Sequence, residues 1–363
     1  MKGILGWLHR IGVHVKALTA RIGKGLKGKL GWLLRIALTV GLFAVMFQFI
    51  DVDELLLAIS QVALIWLLVA TAVKGVGIFA SILRWDQLLR GQGYRVPLGY
   101  LSGSFLVGRF FGMFLPSTLG LDGYRAYDMS RQTKDTIGSV AVIVVEKITG
   151  FFTLSLLVLL TVPAGIRFLP PQVLAFVFAA FCVPVAICFF LLLKPALIER
   201  AFDIILRANF PGMGKIEGVL RRSVAAVTVY QDHRDVLFKA VLLGFVVHFS
   251  TVLMYYCCAL AVGVEASLSD MLFVGPWIIL ATVGLPTIAG EGARELTTLG
   301  LLSRIGVDAS AAWLVGHLGF WAAEFVPAVI GGIILALRPA QYRPEIQRSE
   351  STLEDREEAA EAL

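Results

Sequence analysis

The sequence predicts an all-α integral membrane protein: a polytopic helical bundle of about six full spans plus two re-entrant helical hairpins, in a pattern consistent with an inverted repeat. Three observations carry this. Of 363 residues, 58% are hydrophobic and only 16% charged, against about 25% charged in an ordinary soluble domain; mean hydropathy is +0.81. Long apolar runs recur along the chain, several meeting the roughly 20 residues a spanning helix needs. The sparse basic residues lie between runs in an uneven pattern that reports orientation. This composition excludes a water-soluble fold. A disulfide framework is also excluded, because cysteines 182, 188, 257 and 258 lie inside apolar runs, where thiols behave as small hydrophobes.

Residues 1–31 read as a basic amphipathic helix lying in the bilayer interface. Ile4, Leu8, Ile11, Val15, Leu18 and Ile22 recur in steps of four and three, and residues 1–30 hold seven Lys/Arg and no acid. Glycines at 23, 25 and 28 leave a solvated basic tail as the alternative. No cleavage signal follows the first apolar run, which argues against a secretory leader. Residues 32–338 form the transmembrane domain, with apolar runs at roughly 32–50, 62–82, 98–119, 137–162, 172–193, 236–262, 268–285 and 309–337. Within the connecting segment 194–235, the stretch 212–235 places Leu220, Val224 and Val227 on a stripe that excludes Arg221 and Arg222, which predicts a surface-lying helix covering the bundle. Residues 339–363 form an acidic tail, predicted disordered, with seven acids against three arginines in 341–363. The basic end suits an anionic membrane surface, and nucleic acid is not an expected partner.

Eight full crossings from a cytoplasmic N-terminus would put the basic segment 194–235 outside and basic-poor connections inside, inverting the positive-inside rule. The conflict disappears if 98–119 enters from the cytoplasm, breaks near Pro116 and returns. The loops carrying Arg84, Arg90 and Arg95, then Arg125, Arg131 and Lys134, then Arg200, Arg207, Arg221 and Arg222, all become cytoplasmic. Segments 51–61 and 263–270, without Lys or Arg, face out. For the C-terminus to end inside, 268–285 must also break, at Pro286, and return to the outer face.

The two breaks resemble each other: Leu115 to Arg125 reads LPSTLGLDGYR and Leu285 to Glu295 reads LPTIAGEGARE. With one residue of slip, both give Leu-Pro-[Ser/Thr], a Gly, then acid-Gly-x-Arg. Two similar broken segments entering from opposite sides are the mark of an inverted-repeat transporter. Non-helical backbone at membrane depth must be packed in protein or line a wet cavity. Freed amides at a returning half-helix suit anions, and Arg125 and Arg294 add fork-shaped donors matching phosphate. The competing reading is that each Arg snorkels to an interface with Asp122 or Glu291 as its partner.

Charges also fall inside the apolar runs: Lys74, Arg109, Glu146, Lys147 and Glu324, with His248 and His317. Each central charge costs roughly 2.5–3.5 kcal/mol on insertion scales, so these residues either pair between helices or line a pathway. Arg109, Glu146 and Glu324 are the stronger pathway candidates, and His248 reads as a hydrogen-bonded interior histidine. His317 and Glu324, seven apart, are expected on one helix face. No Walker loop, H-E-x-x-H or Gly-x-Ser-x-Gly elbow occurs, and Asp122-Gly123 begins but does not complete the CDP-alcohol phosphotransferase signature. The reading is therefore of a non-enzyme with no catalytic residue, metal site or cofactor.

At these same residues the chain resembles the flippase-like transmembrane domain of lysyl-phosphatidylglycerol synthases (multiple peptide resistance factor) and its stand-alone relatives. The likeness rests on Arg84-Trp85, on Pro116 to Arg125 against P-S-x-x-G-G-D-x-x-R with Leu121 for the second glycine, on Glu146, Lys147 and Gly150, and on Pro286, Gly290, Gly292, Arg294 and Glu295 against a Pro followed by G-x-G-x-R-E. It covers about residues 30–340. The resemblance implies a protein that moves a lipid with a polar or anionic head group between leaflets of the bacterial inner membrane, with both termini cytoplasmic. The synthase's soluble aminoacyl-transferase domain has no counterpart here. The expected substrate-binding residues are Arg109, Ser117, Asp122, Arg125, Glu146, Glu291, Arg294, Glu295 and Glu324. The arginines would draw in the head group, and Asp122, Glu146, Glu291 and Glu295 would orient them or bind coupling protons. The alternative is a membrane-embedded transferase acting on a phospholipid or isoprenoid-phosphate head group; a structural subunit is a third.

Overall fold

A computed structural model of the chain describes residues 51–114, 119–194, 226–230, 233–285 and 287–337, with isolated positions at 40–41, 44, 196 and 347–348. The interfacial helix expected at 1–31, nearly all of the first apolar run, most of 194–235 and almost all of the tail lie outside the described residues. So do Pro116, Ser117 and Pro286 at the two breaks.

Apart from one two-residue bridge, the regular structure among the described residues is helical. Its elements are α1 (Val52–Ser60), α2 (Leu64–Gly91), α3 (Leu98–Phe114), α4 (Leu119–Thr133), α5 (Thr136–Thr161), α6 (Pro171–Leu193), α7 (Arg234–Val262), α8 (Leu268–Gly284), α9 (Ala293–Leu302), α10 (Ala309–Phe320) and α11 (Val326–Leu337). A 3-10 turn (Val162–Arg167) extends α5, and a π-turn (Trp321–Phe325) joins α10 to α11. Five stretches are long and apolar enough to cross a membrane: Leu64–Gly91, Thr136–Arg167, Pro171–Leu193, Arg234–Val262 and Ala309–Leu337. Short side chains fix the starts. Asp51 accepts from Asp53 and Glu54 amides, Asp135 from Gly138, and Asp308 from Ser310 and Ala311, while Ser267 and Asp270 form a reciprocal box.

Two hairpins stand apart from the spans. Arms α3 and α4 have 17 and 15 residues, and α8 and α9 have 17 and 10. At about 1.5 Å per residue none reaches the roughly 30 Å of a hydrocarbon core. Side-chain ties place their ends. The first hairpin begins beside Tyr94, whose hydroxyl donates to Asp135 at 2.8 Å just past the hairpin's far end; it leaves by the face it entered. The second begins at Asp270, paired with Arg167 at 2.7 Å, and ends beside Arg304, which donates to the Phe168 carbonyl at 3.2 Å. That is the opposite face, shared with α1, where Ser310 donates to the Asp51 carbonyl and Asp308 raises the Glu54 carboxyl above its ordinary range. The expected re-entrant pair is therefore present. A two-residue antiparallel bridge, Tyr94↔Arg348 and Arg95↔Gln347, ties the start of the tail to the first face.

Two residues counted among the loop cations need correction. Arg84 and Arg125 are buried, at 7% and 1% exposure, because each finds a carboxylate inside the bundle. Arg90, Arg95, Arg131 and Lys134 still mark the first face.

Two apolar cores divide the bundle. On α2, Ala70 belongs to one and Ile78, Ile82 and Trp85 to the other; on α7, Val252–Ala261 contribute to the first and Val236–Ala240 to the second. Between them at mid-height lies a polar layer. Within the first hairpin the arms cross closely, with Phe111 stacked on Tyr124 at 5.1 Å and the Gly120 position 2.6 Å from the Gly112 Cα and the Phe111 carbonyl once a Cβ is added. Gly120→Ala should therefore lower the melting temperature in detergent by the equivalent of about 1–3 kcal/mol. Gly123→Ala, facing open space, should be neutral or stabilising, since alanine favours a helix over glycine by roughly 0.5–1 kcal/mol. Equal melting of both variants would refute the close crossing.

Candidate functional site

A cavity of about 260 Å³ occupies the polar layer between the two cores. Five cations and three carboxylates from the spans and the first hairpin line it: Lys74 and Arg84 of α2, Arg109 of α3, Asp122 and Arg125 of α4, Glu146 and Lys147 of α5, and Glu324 of the π-turn. Arg294 adds a sixth cation from the second hairpin, beside Thr282, Ala289 and Gly290. Both hairpins therefore contribute walls to one chamber.

Most of these charges are paired with each other. Glu146 takes Arg84 Nη2 at 2.9 Å on Oε1 and Arg125 Nη2 at 2.5 Å on Oε2, so both its oxygens are occupied by guanidinium donors. Arg125 is further held between the rings of Trp85 at 4.2 Å and Phe105 at 4.9 Å. Asp122 pairs with Lys147 at 2.7 Å and lies 3.7 Å from Arg125. Arg109 donates to Glu324 at 2.8 Å and to the Ala323 carbonyl at 3.3 Å.

Two cations are different. Lys74, 7% exposed, donates from Nζ to the Thr251 hydroxyl at 2.9 Å, a neutral partner. Arg294, 2% exposed, lies 4.0 Å from Glu295, donates to the Ala289 and Gly290 carbonyls, and sits 5.2 Å over Phe320. Its carbonyl acceptors exist because the backbone at the second break turns through left-handed conformations, Ala289 at φ 51, Gly290 at 76 and Gly292 at 81.

Of the residues expected to bind substrate, Arg109, Asp122, Arg125, Glu146, Arg294 and Glu324 line this cavity. Ser117 lies outside the described residues. Glu291 and Glu295 are gathered instead beside His317. Two expectations change. The acid-Gly-x-Arg elements are not equivalent: Asp122 and Arg125 lie within α4, whereas Glu291 precedes α9 and Arg294 is its second residue. His317 and Glu324, expected on one helix face, meet different partners, and Glu324 lies within the π-turn, where the helical register changes. Glu324 meets Arg109, and His317 meets the two glutamates. His248 accords with the interior reading, its Nε2 lying 3.0 Å from the Gly150 carbonyl. Thr251, Tyr255 and Thr282 also line the cavity and carried no signal, since hydroxyls in apolar runs are common.

A family model described as the lysylphosphatidylglycerol synthase TM region matches residues 32–336. No curated protein matches the chain. The chain belongs to that family, which makes it a multi-pass membrane protein linked to phospholipid head-group modification or flipping. This overturns the expectation of a non-enzyme. Its ground was the absence of soluble-enzyme motifs, whereas the family is described by a lipid-modifying synthase.

Removing Glu146 leaves Arg84 buried without a carboxylate and Arg125 with only Asp122 at 3.7 Å, and breaking a buried pair costs about 3–5 kcal/mol. Glu146→Gln should therefore lower the melting temperature in detergent sharply. Lys74→Met, which removes a buried charge with only a hydroxyl partner, should leave it unchanged or raise it. The opposite order would show that Lys74, not Glu146, carries the structural pairing.

Proposed function

We propose that this member of the lysylphosphatidylglycerol synthase TM-region family moves a lipid with an anionic, phosphate-bearing head group between the leaflets of the bacterial inner membrane. One observation carries the reading: the mid-height cavity has six cations against three carboxylates, with Lys74 held only by a hydroxyl and Arg294 by carbonyls and by Glu295 at the outer limit of an ion pair, 4.0 Å. A buried charge without a partner is unfavourable unless something compensates it. An anionic head group entering the cavity supplies that compensation, with Arg109 completing a three-cation cradle; Arg125 and Glu146 hold the walls in place. The cavity's volume suits a head group and not a whole lipid, so the acyl chains stay in the bilayer. Lining residues Lys147 and Val283 are about half exposed, giving routes between chamber and surroundings. The remaining loop cations favour a cytoplasmic first face with both termini on that side, the basic segment 1–31 lying on the inner leaflet and the acidic tail beyond it.

The family's description favours a second reading, in which the same cradle presents the head group for modification. Mass spectrometry of lipids incubated with the protein and cell extract separates the two, because only modification creates a new head-group mass.

In proteoliposomes, exchange of fluorescent phosphatidylglycerol should exceed that of phosphatidylcholine. Lys74→Met and Arg294→Gln should each slow it about tenfold, the equivalent of about 1.4 kcal/mol, without loss of fold. Equal rates for both lipids, or undiminished rates in both variants, would refute the proposal.

A further inference from the structure

Beside the cavity, outside its wall, Glu291, Glu295 and His317 bring their polar atoms within 4.8 Å of one another. His317 Nδ1 lies 3.9 Å from Glu295 Oε1 and 4.0 Å from Glu291 Oε2. Glu295 is completely enclosed, and its Oε2 accepts from the Gly292 amide at 2.7 Å. Its Oε1, however, makes no hydrogen bond among the described residues, nor do His317 Nδ1 and Glu291 Oε1. Buried polar atoms are almost always satisfied, so the cluster has room for a further species. The spacing admits a divalent metal, a water or a shared proton.

The far side of the imidazole decides between them. Trp321 Nε1, which can only donate, donates to His317 Nε2 at 3.3 Å. A neutral ring accepting at Nε2 carries its hydrogen on Nδ1, the nitrogen that faces the two carboxylates. Trp313, stacked at 4.9 Å and 12°, and Phe320 at 6.1 Å hold the ring plane. A protonated Nδ1 has no lone pair for a metal, but it suits two carboxylates that share a proton.

Of the surrounding charged and titratable groups, Arg294 of α9 lies nearest, 4.0 Å from Glu295. Glu324 of the π-turn and Tyr255 of α7 act on the same group, with Lys74 of α2 and Arg109 of α3 across the cavity. Arg294 thus stands between the cluster and the chamber.

We propose that Glu291, Glu295 and His317 form a proton-binding site linked to head-group binding through Arg294. This rests on the reading of the cavity as an anion site. With the cavity empty, Arg294 is the counter-charge of Glu295. An anionic head group takes up that charge, the carboxylates lose their compensation, and a proton from solution binds and is held between the two of them, with the His317 Nδ1 hydrogen donated to the pair. His317 and Glu291 side chains are 29% and 16% exposed, which gives the proton a way in. Each anionic lipid bound thus brings a proton, and a transmembrane proton gradient can drive the movement.

The test uses the full chain in weakly buffered detergent with a pH-indicating dye. Short-chain phosphatidylglycerol should cause proton uptake approaching one per bound lipid, and phosphatidylcholine should cause none. Glu295→Gln, which keeps an acceptor for Gly292, should abolish the uptake while lipid binding persists; Glu291→Gln and His317→Gln should reduce it. Lipid binding without proton exchange, or uptake unchanged in all three variants, would overturn the proposal. A lipid-free arm separates this from failure of the cavity reading: nitrogen NMR of labelled histidine should show His317 protonated on Nδ1, with a titration that Glu295→Gln displaces. An Nε2-protonated ring, or a stoichiometric divalent metal that His317→Gln releases, would overturn it whether or not lipid binds.

Discussion

Charges at membrane depth must be compensated within the protein, and here one carboxylate is the hub of that compensation. Glu146 on α5 receives Arg84 from α2 on one oxygen and Arg125 from α4 on the other. Arg125 in turn rests between Trp85 of α2 and Phe105 of α3, so four helices meet at one ion-paired centre. In water such a cluster would contribute little. In an apolar surround the alternative to pairing is an isolated guanidinium, so the geometry of the first hairpin follows from where Glu146 stands.

The second hairpin has no such hub, and the contrast explains how similar sequence elements come to serve different ends. In the first hairpin the acid-Gly-x-Arg run is helical, which sets Asp122 and Arg125 one turn apart where α5 can reach both. In the second, left-handed residues delay the helix until Ala293, and backbone carbonyls hold the arginine. Carbonyls orient a guanidinium without neutralising it. The first hairpin therefore uses its arginine to close the structure, and the second holds Arg294 at the chamber wall with Glu295 4.0 Å behind it. The π-turn completes the division by sending Glu324 to Arg109 and leaving His317 to the glutamates.

Much of this architecture was legible in the sequence because hydropathy and charge act over many residues at once. The spans, the two returns from opposite faces and the gathering of Arg109, Glu146, Arg294 and Glu324 at one cavity all follow from asking where charges tolerate burial. Partnerships were less legible. Arg84 and Arg125 looked like loop cations because nothing in the sequence says that Glu146 lies between them, 62 and 21 positions away. Lys74 looked secondary because its distinguishing property, a hydroxyl where a carboxylate might be expected, is a fact about α7. The meeting of His317 with Glu291 and Glu295 depends on a hairpin turn, and Glu324 meets a different partner from within a π-turn. Neither leaves a periodicity to read.

The placement of the chamber also bears on how access could alternate. Its floor and ceiling are apolar cores drawn from the same spans, α2 and α7, which cannot slide apart without exposing buried surface on both. The hairpins are each tied to one face, and their arms are shorter than a full span. Moving the first would open the chamber toward the face bearing Tyr94 and Asp135; moving the second would open it toward the face bearing Arg167 and Asp270. The two hairpins also differ in their ties: the first is pinned through Arg125 to Glu146 of α5, whereas Arg294 bonds carbonyls of its own hairpin, which is tied to its neighbours through Asp270 and Arg167. A ligand that engages Arg294 therefore acts on the second hairpin, the one whose Glu291 and Glu295 gather beside His317.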